Sequence, residues 1–446
     1  MKFSTQKPKK TLHMVSLGCT KNLVDSEVML GRLSDYEITD DAQNADVIIV
    51  NTCGFIDSAK QESINTILNL HEDRKEESVL VMAGCLSERY KDDLQKELTE
   101  IDIFTGVGDY DKIDRLVHEK RSSFSNEVFL ASEENDRVIT GSNYHAYVKL
   151  SEGCNQSCSF CAIPSFKGKL HSRTLESLVK EVTNLVKKGY KDFSFVSQDS
   201  SSYLRDLGHN DGLEQLIDAV EKIDGVKTAR ILYLYPSTTT HNLIDKIADS
   251  KVFVNYFDMP LQHISQNMLK IMKRGKGAEK LIELMNYMRS KPNSFVRTTF
   301  IAGHPGESED DFEELCSFVE EFGFDRGNVF SYSDEEGTSA ETRDDKIEQE
   351  LIDERAEILG DIISQTTIKS LENDIGKSFE VYIDGESEEH EYLLSARKTI
   401  WAPQIDGEIY INDNENNIPI VFGEIYEVEA TQLAGDKLLA KIIRKV

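Results

Sequence analysis

Three cysteines, Cys154, Cys158 and Cys161, stand at C-x3-C-x2-C spacing directly after the strand-like run Ala146–Leu150. Three thiolates that close together can hold three corners of a four-iron cluster, whose usual full set is four cysteines. The fourth local ligand is missing, so one iron is left open for an exogenous group, as catalytic metal sites keep a position open. An open iron beside a radical cofactor points to S-adenosylmethionine chemistry. The bland alternatives are zinc or buried thiols. Zinc asks for a fourth His or Cys, and His171, ten residues on from the last cysteine, is the only near candidate.

Three further cysteines lie far apart in sequence but in similar settings: Leu17-Gly18-Cys19, Asn51-Thr52-Cys53-Gly54 and Ala83-Gly84-Cys85. Each follows a short apolar strand candidate, His13–Leu17, Asp46–Val50 or Val79–Ala83. In an open α/β sheet the carboxyl ends of parallel strands lie side by side, so Cys19, Cys53 and Cys85 can converge. The neighbouring glycines allow close backbone approach. Spacing alone leaves two readings open, a second cluster or three small buried residues. Cys316, in the middle of an amphipathic helical pattern, reads as a core thiol.

The elements that must position these residues fall into successive blocks. Residues 1–125 alternate strands with helical stretches (Val24–Leu33, Ser58–Leu70, Ser87–Leu98) and read as an open α/β domain. Residues 126–143 are polar and read as a linker. Residues 144–371 hold a second series of strands, Ala146–Leu150, Asp192–Val196, Thr228–Tyr233, Tyr256–Met259, Phe295–Ile301 and Asn328–Tyr332. Helices such as Leu175–Lys188, Leu213–Ile223 and Asp310–Phe322 separate them. Six βα units suggest a partial (βα)6 barrel, with its site at the strands' carboxyl ends. A long helix over 344–372 follows. Residues 372–446 carry short strands, among them Phe379–Ile383, Glu408–Ile411, Ile425–Glu429 and Leu438–Ile443, and read as a small antiparallel β-barrel.

Composition bounds the setting. Of 446 residues, 39% are hydrophobic and 29% charged, which describes a water-soluble chain. No apolar run approaches the roughly 18 residues of a membrane span, and Met1–Lys10 has no apolar signal core, so no membrane association and a cytoplasmic location are expected. Seven cysteines, an odd number without a disulfide pattern, fit a reducing compartment. The net charge of −29 argues against a nucleic-acid substrate and for a basic protein partner. Residues 372–446 sharpen this, with 16 acidic against 7 basic residues.

The barrel's strand ends offer cofactor contacts. Val196-Ser197-Gln198-Asp199 could set Gln198 and Asp199 against amino and ribose groups. Gly303-His304-Pro305-Gly306-Glu307 could form a backbone wall, with Gly303 and Glu307, against a nucleoside; ordinary βα loops have similar composition. Phe160 stands where an aromatic can flank an adenine or simply pack.

Taken together, the chain resembles the radical S-adenosylmethionine methylthiotransferase family over nearly its full length. Ser16–Glu27, Glu152–Pro164, Gly168–Arg173 and Phe330–Thr338 carry the likeness, and the terminal barrel is similar to the OB-like TRAM type. Within the family it is most similar to the branch that modifies small-subunit ribosomal protein twelve; the tRNA-modifying branch more often has Gln-Met-Asn where Thr20-Lys21-Asn22 stands here. Two departures concern loops: His304 replaces a frequent aromatic, and Tyr203-Leu204 replaces a usual Tyr-Gly.

The resemblance implies two [4Fe-4S] clusters and two molecules of S-adenosylmethionine. Cys154, Cys158 and Cys161 would hold the cluster that cleaves the cofactor to a deoxyadenosyl radical. That radical would abstract hydrogen from the β-carbon of an aspartate. Cys19, Cys53 and Cys85 would hold the second cluster, which carries the sulfur that is delivered and methylated. No catalytic residue beyond these ligands is implied, and flavodoxin or ferredoxin would supply electrons. Competing readings are tRNA adenosine methylthiolation, a radical methyltransferase without a sulfur-bearing cluster, and an electron carrier without turnover.

Overall fold

The computed structural model describes residues 9–414 and 417–446. Most of the segment read for a targeting signal, residues 1–8, lies outside the described residues. No helix among the described residues is long and apolar enough to cross a membrane.

The chain opens with β1 (Thr11–Ser16), β2 (Glu37–Ile38), β3 (Val47–Thr52), β4 (Val79–Gly84) and β5 (Ile103–Phe104). They form one parallel sheet in the order β2-β1-β3-β4-β5. Every residue of β3 and β4 is buried, as expected of strands covered on both faces. The helix expected over Ser87–Leu98 is two, Cys85–Arg89 and Lys91–Glu97, broken at Tyr90. Arg89, at the end of the first, reaches out to Glu335 (2.5 Å), and the second starts afresh with Leu94 N–H bonded to Tyr90 O.

The linker lies tightly on this domain. A Cβ on Gly31 would come within 2.0 Å of the carbonyl oxygen of Asp136, and Arg137 is ion-paired to both Glu27 and Glu181.

The central region contains β6 (His145–Lys149), the short β7 (Ser151–Glu152) and β8 (His171–Ser172), β9 (Asp192–Val196), β10 (Thr228–Ile231), β11 (Tyr256–Asp258), β12 (Phe295–Ala302) and β13 (Arg326–Ser331). β6, β9 and β10 pair in parallel, as do β11, β12 and β13. A parallel bridge, Ala229 to Phe253, and the bond from Leu234 N–H to Asp258 O (2.8 Å) join the halves. The result is a six-stranded partial barrel in chain order, with its main apolar core between strands and outer helices. β10 ends two residues before the expected Tyr233. There the backbone turns to φ 63°, and the Asp258 carboxylate accepts the Tyr233 N–H. Helix Gln349–Glu372 packs on β12 and β13.

The last block is a closed barrel, β14-β15-β16-β18-β17, from Ser378–Glu386, Leu394–Lys398, Ile409–Asp413, Ile425–Ala434 and Lys437–Lys445. It departs from a purely antiparallel barrel in one pairing, β16 with β18, which is parallel. Five strands are an odd number, so directions cannot alternate all the way round a closed barrel. Arg230 and Arg397 clamp the buried Asp192 carboxylate at 2.8 and 2.6 Å, and so tie this barrel to the amino ends of β9 and β10.

Candidate radical and sulfur-transfer site

Cys154, Cys158 and Cys161 sit on a loop leaving β7 at the carboxyl end of the partial barrel. Gly153 lies at φ 76°, and a Cβ there would stand 2.2 Å from Lys169 O, so the entry to the loop requires glycine. Cys154 N–H bonds Gly168 O (3.1 Å), and Asn155 Oδ1 accepts Leu170 N–H (3.1 Å); this pins the Gly168–Arg173 return against the cysteines. Arg274 Nη1 donates to Cys158 Sγ at 3.2 Å, with its guanidinium 4.4 Å from the Tyr235 ring centre. Burial, reinforced by neighbouring thiols, pushes Cys161 up to about 12. Burial pushes Cys154 up to about 11. Iron bound there would have to displace these protons, at a cost that ligation would repay.

Cys19, Cys53 and Cys85 do converge. They follow β1, β3 and β4, which are adjacent and parallel. Gly18, at φ 81°, packs so closely that a Cβ would lie 2.8 Å from Cys53 Sγ. Asn22 ties the three segments together. Its Nδ2 donates to Leu17 O and Thr52 O, and its Oδ1 accepts from Cys85 Sγ (3.6 Å). Burial pushes Cys53 to about 11 and Cys85 to about 12, and each also feels the Cys19 thiol. All seven cysteines are free thiols.

Among the described residues, no three His, Cys, Asp or Glu are gathered as tightly as ligands sharing one ion. His171 is exposed on β8. In a cluster each cysteine would hold a different iron, so three cysteines need not converge on one point as ligands of a single zinc ion do.

A buried polar seam joins the two domains that carry the trios. Lys149 Nζ contacts Asp25 (2.5 Å) and Glu152 (2.7 Å), and Lys167 lies 3.7 and 3.4 Å from the same two carboxylates. Asp25 belongs to the helix that starts at Cys19, and the other three belong to the barrel. Glu152, between the two lysines, is held down at about 2 although burial alone would raise it. Cys85 feels Lys167 and Glu152 across the seam. A second clasp joins Glu335 to Lys60 (3.0 Å) and Arg89 (2.5 Å).

The expected cofactor contacts differ among themselves. Phe160 is half-buried, edge-on to His304 with ring centres 6.3 Å apart. Gln198 donates to Glu152 and leaves its buried Oε1 without a partner. Asp199 is engaged by the protein, accepting from Gln156 Nε2 (2.8 Å), Ser202 Oγ (2.6 Å) and Ser201 Oγ (2.9 Å). Glu307 turns inward, accepting from Gly303 N–H (2.9 Å) and Arg355 (2.8 Å). A Cβ on Gly303 would meet Ile352 at 2.6 Å, so that glycine answers to helix packing. Leu204 lies at φ 65°, the conformation a glycine would adopt without strain. Cys316 packs against the barrel's outer core.

Sequence reading did not single out Lys149, Lys167, Arg274 or the clasp of Glu335. The only local signal was Lys149 three residues before Glu152, since the other partners come from distant segments.

The fold and the cysteine loop define a radical S-adenosylmethionine enzyme carrying two added domains. Residues 148–319 match the radical SAM superfamily, residues 11–106 the uncharacterized protein family UPF0004, and residues 375–443 the TRAM domain. Among solved structures, a radical S-adenosylmethionine methyltransferase of Kitasatospora setae shares the fold. It has a TM-score of 0.53 and 13% identity over 73% of this chain and 74% of that one. Similarity to ribosomal protein uS12 methylthiotransferases is far higher: 82% identity for that of Aliarcobacter butzleri, over 100% of both chains. The Sulfurovum sp. protein is 65% identical over 98% of this chain and 99% of its own, and a Campylobacter jejuni protein 57% over 98% and 99%. The chain belongs to the ribosomal protein uS12 methylthiotransferase family, RimO.

Proposed function

We propose that this protein replaces a hydrogen on the β-carbon of an aspartate of ribosomal protein uS12 with a methylthio group. Cys154, Cys158 and Cys161 would hold one [4Fe-4S] cluster, and Cys19, Cys53 and Cys85 a second. When bound, the clusters and S-adenosylmethionine supply the radical, the sulfur and the methyl group. The protein's own part is to hold the two thiol trios on either side of one seam. Lys149, Lys167, Asp25 and Glu152 fix that spacing and keep bulk water out, which protects a reactive carbon from quenching. Phe160 and Gln198 would contact the cofactor. Asp199, Gly303 and Glu307 would shape the loops around it.

One observation carries this reading: Glu152, two residues before Cys154, and Lys167 share a buried seam with Asp25 of the N-terminal domain and lie within electrostatic reach of Cys85, so the two cysteine-bearing domains meet at one site. The acidic terminal barrel suits a basic ribosomal protein. Free thiols throughout fit the reducing cytoplasm, where flavodoxin or ferredoxin could donate electrons.

Mass spectrometry of uS12 and of tRNA from cells with and without the gene tests the proposal. Loss of one methylthio group from a uS12 aspartate, with tRNA unchanged, is expected. Loss of a methylthio group from a tRNA adenosine instead would overturn it.

A further inference from the structure

The buried cations around the site are paired, whereas a half-buried one beside them is not. Lys149 and Lys167 share Asp25 and Glu152, and Arg297 contacts Asp258 at 2.9 Å. Arg274 is taken by Cys158 and by Pro260 O. Lys21 has neither an ion pair nor a hydrogen bond among the described residues. Its Nζ rests 3.6 Å from the centre of the Tyr233 ring.

The surroundings place this ammonium between the two halves of the site. It is two residues past Cys19, and Tyr233 follows the carboxyl end of β10. The carboxylates whose field reaches it, Glu152 and Asp258, are both neutralised by other cations. Lys21 is half-buried, so it is not sealed off from an arriving group. Beside it, the buried Thr20 hydroxyl also lacks a partner. An ammonium with no direct partner is open to donate a charge-assisted hydrogen bond to an arriving carboxylate.

We infer that Lys21 is a specificity residue that binds the side-chain carboxylate of the target aspartate. This rests on the function proposed above. In aspartate the carboxylate carbon is bonded directly to the β-carbon that receives sulfur. A cation adjacent to Cys19 therefore holds that carbon beside the sulfur-delivering trio. The neutral amide of asparagine would gain much less from the same contact.

The test compares reconstituted wild type, Lys21→Gln and Lys21→Arg on two uS12 peptides, one with the target Asp and one with Asn in its place. Methylthiolation kcat/KM is measured for each peptide, and KM for S-adenosylmethionine is measured alongside. Wild type should prefer the Asp peptide. Lys21→Gln should lose about 10- to 100-fold on that peptide and little on the Asn peptide, so that the preference collapses. Lys21→Arg, which keeps the charge, should retain most of it. Wild type accepting both peptides equally would overturn the inference without any variant. An unchanged preference in Lys21→Gln would overturn it too. A raised KM for S-adenosylmethionine with the preference intact would assign Lys21 to the cofactor's carboxylate instead. Failure of wild type on both peptides would sink the proposed function itself, and this inference with it.

Discussion

The two cysteine trios are built in opposite ways. Cys154, Cys158 and Cys161 lie within eight consecutive residues, on one loop held by Gly153, Asn155 and the Gly168–Arg173 return. Cys19, Cys53 and Cys85 come from three strand ends spread over most of the N-terminal sheet, tied by Asn22. The first is local chemistry set on a barrel, whereas the second exists only once a parallel sheet has folded. A local loop tolerates change elsewhere in the chain. A site assembled from a sheet is exposed to any packing error between its strands.

That contrast can be broken most severely at Cys158. Cys158→Ala should abolish deoxyadenosine formation and all turnover, measured chromatographically after anaerobic reduction. About half the iron should remain, because the other trio is untouched.

Single methyl groups sharpen it next. Gly18→Ala would drive a Cβ to 2.7 Å from Cys53 Cβ, so sulfur transfer should fail while cofactor cleavage survives. Gly153→Ala meets Lys169 O at 2.2 Å and should fail in the reverse way, losing cleavage. Iron content and deoxyadenosine yield, measured on both variants, separate the two outcomes.

The seam that joins the trios comes third. Lys149→Met strips a buried cation from Asp25 and Glu152 and should destabilise the protein by about 3–5 kcal/mol. Asp25→Asn should cost less, since Lys149 keeps Glu152. Denaturant midpoints of the two variants against wild type check the order.

The smallest effect lies beside the cysteine loop, at His304. Burial depresses His304 to about 4, and its ring is hydrogen-bonded to Ser159 (2.9 Å) between the cysteines. The unfolded chain takes up a proton that the native chain refuses. Stabilisation is therefore complete above pH 6.5 and is lost as the pH falls towards 4. Between pH 7 and pH 5 this amounts to up to about 2 kcal/mol. His304→Phe should remove that share of the pH dependence in denaturation measurements.

The same contrast explains what the sequence disclosed. The local trio is legible because its cysteines and their glycine are neighbours in the chain. The strand-end cysteines are legible through apolar runs that end at a cysteine with a glycine beside it, but only the sheet order brings them together. The six barrel strands follow from their apolar runs, with ends misplaced where a side chain intervenes, as Asp258 does at Tyr233. The Lys149–Asp25–Glu152–Lys167 seam was hidden because Asp25 is 124 positions from Lys149 and belongs to another domain. Glu307 shows a partner the sequence hides in the same way: its carboxylate is held by Arg355, 48 positions on.

The division of labour between the trios is tested most directly by replacing Cys19, Cys53 and Cys85 together with alanine, in reconstituted protein supplied with a uS12 peptide. Deoxyadenosine should still form, and no methylthio group should appear on the peptide. Methylthiolated peptide from that variant, or loss of deoxyadenosine formation from a chain whose Cys154, Cys158 and Cys161 cluster is intact, would contradict the account.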